Sequence, residues 1–142
     1  MTDLGTSYLG LALKSPLVVS SNPLTYELDN LKRLEGAGAG AIVLYSLFEE
    51  QIELAEMGFA SYYEQRAEEL PEALRHVANM KEYNQGAGSY LAHIYQAKQA
   101  LSIPVIGSLN GYYSSGWTRY ARLIEAAGAD ALELNIYYLP TK

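Results

Sequence analysis

The sequence predicts an α/β fold of parallel strands joined by helices, and two observations carry that prediction. Ten residues occur twice: Glu35 to Leu44 reads EGAGAGAIVL and Glu125 to Leu134 reads EAAGADALEL, with six of the ten positions identical. Each copy follows an amphipathic helical stretch and runs into an apolar, strand-like one. The repeated unit is therefore helix, tight small-residue turn, buried strand. Such units build β/α architectures, whose closed form is an eight-stranded barrel of roughly 250 residues. The chain has 142 residues, one domain by length. The expectation is a single domain over 1–142 with the layout of part of such a barrel.

Composition narrows the function classes. Apolar residues make up 49% and charged residues 18%, as in an ordinary folded domain. A net charge of -6 leaves no excess of Lys and Arg to neutralise phosphates, so a nucleic-acid partner is not expected. The absence of Cys removes disulfides, thiolate metal sites and thiol nucleophiles. The N-terminus lacks a basic segment and carries Asp3, which makes a poor signal peptide. No apolar run approaches the ~20 residues of a membrane helix. No membrane partner is expected, and the expected location is the cytoplasm.

The elements follow in order. TSYLGLALKSPLVVS reads as a short hairpin around Tyr8–Leu11 and Leu13, then a buried strand at 17–20 that Pro16 can open. Thr25 is a candidate helix cap, with Glu27 and Asp29 in the first turn, where the helix dipole favours negative charge. Leu28, Leu31 and Leu34 mark the buried stripe, and Gly36 and Gly38 stop the helix. Ala41–Tyr45 reads as the second buried strand. Residues 47–87 hold eight of the sixteen acidic residues between Glu49 and Glu72 and read as a helical insertion with a solvated acidic face. Ser89 can cap a helix over 90–101 with Leu91, Ile94, Ala97 and Leu101 inward. Ile103–Leu109 is the third strand. Ser115 can cap a helix with Trp117, Ala121, Ile124 and Ala127 inward, and Ala131–Ile136 is the fourth strand. Helix-joined sequential strands imply parallel pairing through right-handed crossovers.

Ligands of β/α proteins sit beyond the C-terminal ends of the strands. Here those ends are Ser20-Ser21-Asn22, Tyr45-Ser46, Ser108-Leu109-Asn110-Gly111 and Asn135-Ile136-Tyr137-Tyr138. They are polar and uncharged, which suits a neutral heteroaromatic ring better than a bare phosphate or a metal. No G-x-G-x-x-G follows the first strand and no P-loop occurs. His76 and His93 are without a carboxylate at ligand spacing, so no metal is expected, and each reads as a surface or partly buried helix residue.

YLGLALKSPLVVSSNPLT, AGAGAIVLYSLFEEQ, the Asn-Gln-Gly loop, PVIGSLNG and AGADALELNIYY together resemble the N-terminal half of the dihydroorotate dehydrogenase family. The resemblance covers essentially the whole chain. It implies half of a TIM barrel with an N-terminal β-hairpin and an acidic helical insertion after strand 2. It implies FMN as cofactor, a small-molecule substrate and pyrimidine-type hydride transfer. Ser20, Ser21 and Asn22 take the place of the family's flavin-approaching loop, Asn135 that of its flavin-contacting Asn in E-L-N, and Asn84 lies where the family holds the pyrimidine. Tyr45, Ser46 and Asn110 complete the expected cofactor set. Two departures stand out. Tyr45 replaces a family Lys, and Ile136–Pro140 contains neither the Cys nor the Ser that serves as general base. Tyr138 is near the matching position, and a phenol of pKa ≈ 10 is a poor base at neutral pH. The catalytic residue therefore stays unassigned, and 142 residues alone are expected to be inactive. Two alternatives stay open. One is a small flavodoxin-like ligand-binding domain. The other is a half-barrel that pairs as a homodimer through the bare edges of a four-stranded sheet.

Overall fold

The computed structural model describes residues 3–49, 51–52, 87–111 and 116–136. The chain opens with an antiparallel hairpin, β1 (Thr6–Tyr8) and β2 (Leu11–Leu13), in which Tyr8 pairs with Leu11. Leu9 and Gly10 both have positive φ, at 53° and 78°. A two-residue turn of that kind matches the twist of the strands it joins. A four-stranded parallel sheet follows: β3 (Val18–Val19), β4 (Ala41–Phe48), β5 (Val105–Gly111) and β6 (Ala131–Ile136), in that spatial order. Helices α1 (Leu28–Gly36), α2 (Ala87–Ala100) and α3 (Gly116–Ala126) make the connections.

The two faces of the sheet have different partners. Ile42, Leu44, Tyr45, Leu47, Val105 and Leu109 pack against Leu31 of α1, Tyr90, Ile94 and Ala97 of α2, and Tyr120 and Ile124 of α3. At the start of the strands the other face carries Ala41, Val43 and Ile106, covered by Leu13 of the hairpin. A doubly wound sheet reverses its strand order and carries helices on both faces. Among the described elements the order is sequential and the three helices share one core, so the flavodoxin-like arrangement is not the one formed.

The repeat is a helix-ending device. Gly38 and Gly128 occupy equivalent positions, with φ of 102° and 99°. In the first copy the Gly38 N–H donates to the Glu35 carbonyl and the Ala39 N–H to the Leu34 carbonyl. In the second, Gly128 donates to Glu125 and Ala129 to Ile124. Both are Schellman ends, in which a left-handed residue lets the chain cap its own last carbonyls and turn sharply. The copies differ at Gly40 and Asp130 for steric and electrostatic reasons. A Cβ on Gly40 would collide with the Ser15 carbonyl oxygen, because the chain before β3 runs against it there. Asp130 faces no such backbone. Its Oδ2 accepts from the Val105 N–H at 2.7 Å, and Lys98 Nζ donates to both of its oxygens, at 2.8 and 2.7 Å.

Several expectations need correction. Thr25 does not cap α1. Pro23 starts a 3₁₀ turn over Pro23–Tyr26 that is capped by Asn22, whose Oδ1 accepts from Leu24 N–H at 2.9 Å. Thr25 is turned inward and buried, donating its hydroxyl to the Asn22 carbonyl. Glu27 holds the cap position of α1 without a side-chain bond. The first sheet strand is shorter than expected, Val18–Val19. The second runs three residues further, to Phe48, so Tyr45 and Ser46 lie inside a strand rather than beyond its end. Helix α2 starts at Ala87, which places Ser89 in its first turn instead of at its cap. His93, expected at the surface or partly buried, is buried. Ser115, the Trp117 side chain, His76 and most of 47–87 lie outside the described residues.

Candidate functional site

The register of the sheet builds the site. Ser46, Ser108 and Glu133 are Cα partners across β4, β5 and β6. Side chains of partnered residues project to one face, and residues two apart share it. That face therefore carries an apolar layer under the hairpin, then Ser46, Ser108 and Glu133, then Phe48, Asn110 and Asn135 toward the C-terminal ends. Hydrogen bonds join the middle layer into a row. Ser21 Oγ lies 3.0 Å from Ser46 Oγ, which lies 2.8 Å from Ser108 Oγ. Ser108 donates to Glu133 Oε1 at 2.8 Å, and Asn135 Nδ2 donates to the same oxygen at 3.2 Å. One polar row thus runs from the loop after β3 to β6, with Ser108 fully buried at its centre.

A bulge decides what lies on each face. Val43 partners Ile106 and Ser46 partners Ser108, so three steps on β4 oppose two on β5. The additional residue places Leu44 and Tyr45 both in the helix layer and returns Ser46 to the polar row. The Ser108 N–H donates to the Tyr90 hydroxyl at 2.8 Å, and that hydroxyl donates to the Ser108 carbonyl at 3.1 Å. A phenol from α2 thus takes the place of a ladder partner at the bulge. Burial raises the Tyr90 pKa well above its ordinary value.

Tyr45 is the centre of an aromatic cluster. Its ring stacks on Tyr26 at 3.9 Å, meets Tyr90 edge-on at 5.0 Å and lies 5.7 Å from His93. The His93 Nε2–H donates to the Thr25 carbonyl at 2.8 Å. Burial pushes the Tyr45 phenol up to about 12. Its hydroxyl is buried with no hydrogen-bond partner among the described residues, and so is Asn110 Oδ1.

The expected site residues therefore divide. Ser21, Ser46, Asn110 and Asn135 come together on one face of the sheet. Ser20 and Asn22 lie beside them in the loop after β3, where Asn22 Nδ2 donates to the Ser20 carbonyl at 2.6 Å. Tyr45 was expected beside Ser46, but the bulge turns its ring into the helix layer. Asn84 and Tyr138 lie outside the described residues. Sequence reasoning missed Glu133 and the central role of Ser108. The available signal was period two: Glu133 shares a face with Asn135, and Ser108 with Asn110. Among the described residues no group of three His, Asp or Glu could hold a metal, and no helix is long and apolar enough to cross a membrane.

A parallel sheet with helices on one face and a polar row toward its C-terminal ends defines an α/β protein. No protein-family model matches the chain. It is similar to the catalytic subunit of dihydroorotate dehydrogenase B (NAD(+)) from Thermoplasma volcanium, with 29% identity over 136 residues. The match covers 96% of this chain and 42% of that protein, so the chain spans less than half the length of its relative. The similarity supports a distant relationship between the two chains.

Proposed function

We propose that these residues form the N-terminal part of a β/α-barrel flavin oxidoreductase of the dihydroorotate dehydrogenase type. The open face of the sheet would be the barrel interior and its C-terminal rim the cofactor site. The carrying observation is Asn110 Oδ1, a buried acceptor with no partner among the described residues, set in line with Asn135 above the Ser46–Ser108–Glu133 row. An unpaired buried acceptor costs free energy until a donor reaches it. FMN fits that requirement, because the isoalloxazine ring offers an N–H donor beside its carbonyl acceptors.

In this reading Ser20, Ser21 and Asn22 approach the flavin from the loop after β3. Ser46, Asn110 and Asn135 hold its polar edge, and a small-molecule substrate stacks against it. The flavin, when bound, supplies the hydride chemistry. This chain's residues orient the ring and shield it from water. Tyr45 has no part in the site, since its phenol faces α2.

The test is the native protein, purified with the sequence that flanks these residues in its gene. It should carry stoichiometric FMN, released by acid and identified by its absorbance and mass. Asn110→Leu, which removes the acceptor at similar volume, should lower flavin retention at least tenfold. Native protein that binds no flavin when supplied with it overturns the proposal.

A further inference from the structure

Glu133 anchors the polar row. A carboxylate accepts hydrogen bonds and donates none, while each serine has one hydrogen to give. Ser108 gives its hydrogen to Glu133 Oε1. The hydrogen in the 2.8 Å contact between Ser46 and Ser108 therefore comes from Ser46, and that in the 3.0 Å contact between Ser21 and Ser46 from Ser21. The same carboxylate oxygen settles the Asn135 amide. The end that lies 3.2 Å from Oε1 is the NH2 group, because a carbonyl there would face another acceptor. Nδ2 is also 3.5 Å from Ser108 Oγ, the outer limit of a hydrogen bond, so its second hydrogen stays available. Asn135 thus keeps one N–H and its carbonyl for a ligand, and its partner across the sheet, Asn110, has a carbonyl oxygen unpaired among the described residues. An edge of N–H and carbonyl groups needs both acceptors and donors, and these amides offer both. Glu133 lies one layer deeper, so it acts on that edge through Asn135. Among the described residues it forms no ion pair, and no cation there offsets its charge.

We infer that Glu133 is a positioning residue for the flavin: it holds the Asn135 amide in one orientation before the ring arrives, and its negative charge behind that amide makes the bound flavin harder to reduce. The inference rests on the reading above, in which Asn135 holds the polar edge of the ring. An amide fixed in advance spares the ligand the cost of ordering it. Reduction adds negative charge to the ring, and like charges repel more strongly where protein replaces water. Both effects come from one side chain, and they separate when its charge is removed and its hydrogen bonds are kept.

Glu133→Gln and Glu133→Leu test it, each made in the native protein with its flanking sequence. Glutamine keeps an oxygen for Ser108 and Asn135 and loses the charge. Leucine loses both at similar volume. The glutamine variant should retain FMN as the native protein does, while the reduction potential of the bound flavin, titrated against a reference dye, shifts upward. A purely structural role would leave that potential where it was. The leucine variant should retain at least fivefold less FMN. In flavin-free protein its Asn135 side-chain amide resonances should move, and those of the glutamine variant should stay close to native. Should the leucine variant fail to fold, the glutamine variant decides. Two results overturn the inference: a glutamine variant whose flavin potential is unchanged or lowered, or a folded leucine variant that retains FMN as the native protein does. Native protein that binds no flavin overturns the cofactor reading, and this inference with it. Native protein that holds flavin at a potential insensitive to Glu133→Gln overturns this inference alone.

Discussion

Tyr90→Phe removes one oxygen from the protein and should cost far more than its size suggests. The hydroxyl is the acceptor for the Ser108 N–H and a donor to the Ser108 carbonyl. A backbone N–H has one hydrogen, so giving it to Tyr90 means that no β4 carbonyl receives it. Tyr90 and Ser108 are both 0% exposed, which keeps water from replacing the lost partner. Leaving a buried donor unpaired costs ~1–3 kcal/mol. We take ~2 kcal/mol as the expected loss, equivalent to a fall in melting temperature of about 8 °C for a domain of this size. Thermal unfolding followed by circular dichroism measures it. Tyr95→Phe is the control: it lies on the same helix, 60% exposed, and a surface change of that kind stays within about 0.5 kcal/mol. Equal melting temperatures for the two variants would show that the bulge closes its own ladder and that the Tyr90 bond is incidental.

Four further outcomes follow from other contacts in the structure. Gly40→Ala drives a Cβ into the Ser15 carbonyl and should abolish the folded state or lower its melting point steeply. Gly36→Ala, in a helical position with open space around it, should stabilise by about 0.5–1 kcal/mol; the same melting assay reads both. Asp130→Ala orphans the buried Val105 N–H and should cost ~2 kcal/mol. Asp130→Asn keeps an acceptor and should cost less than half as much in urea unfolding. Tyr45 has its folded pKa raised to about 12 from 10.0, so it binds its proton more tightly folded than unfolded. Its contribution is complete below pH 10 and is lost as pH rises through 12. Melting temperature should therefore hold steady up to pH 10 and fall beyond it, with tyrosinate absorbance appearing together with unfolding. Tyrosinate absorbance well below the unfolding pH from more than the exposed tyrosines would contradict the burial.

What could be read from the sequence was whatever depends on local pattern. The repeat marked both helix ends, because a Schellman turn demands glycine at one position and small residues around it, and Gly38 and Gly128 supply them. The strand order followed from the chain order, because helix-joined strands that follow one another in sequence tend to lie side by side in the sheet. What could not be read depends on partners distant in sequence. Glu133 looks like one polar residue in an apolar strand until Ser108, 25 residues earlier, lies across from it. Tyr45 reads as a strand-end residue because nothing in LYSLF signals a bulge. The bulge becomes visible only when β5 is laid beside it. Thr25 is a sound cap by composition, but Pro23 starts a turn first and Asn22 takes the cap.

Ser108 joins the two halves of the structure. Its backbone belongs to the helix side, held by Tyr90 of α2. Its hydroxyl belongs to the other side, held between Ser46 and Glu133. A bulge in β4 makes both possible, since it opens the ladder that Tyr90 fills and returns Ser46 to the face where Ser108 waits. A regular β4 would put Tyr45 on the polar face and Ser46 among the helices. It would also leave Tyr90 without a gap to enter. The stability of the core and the geometry of the polar row are thus set by the same irregularity. The position of Ser46, and with it the direction of every hydrogen bond in the row, depends on a contact made on the opposite face of the sheet.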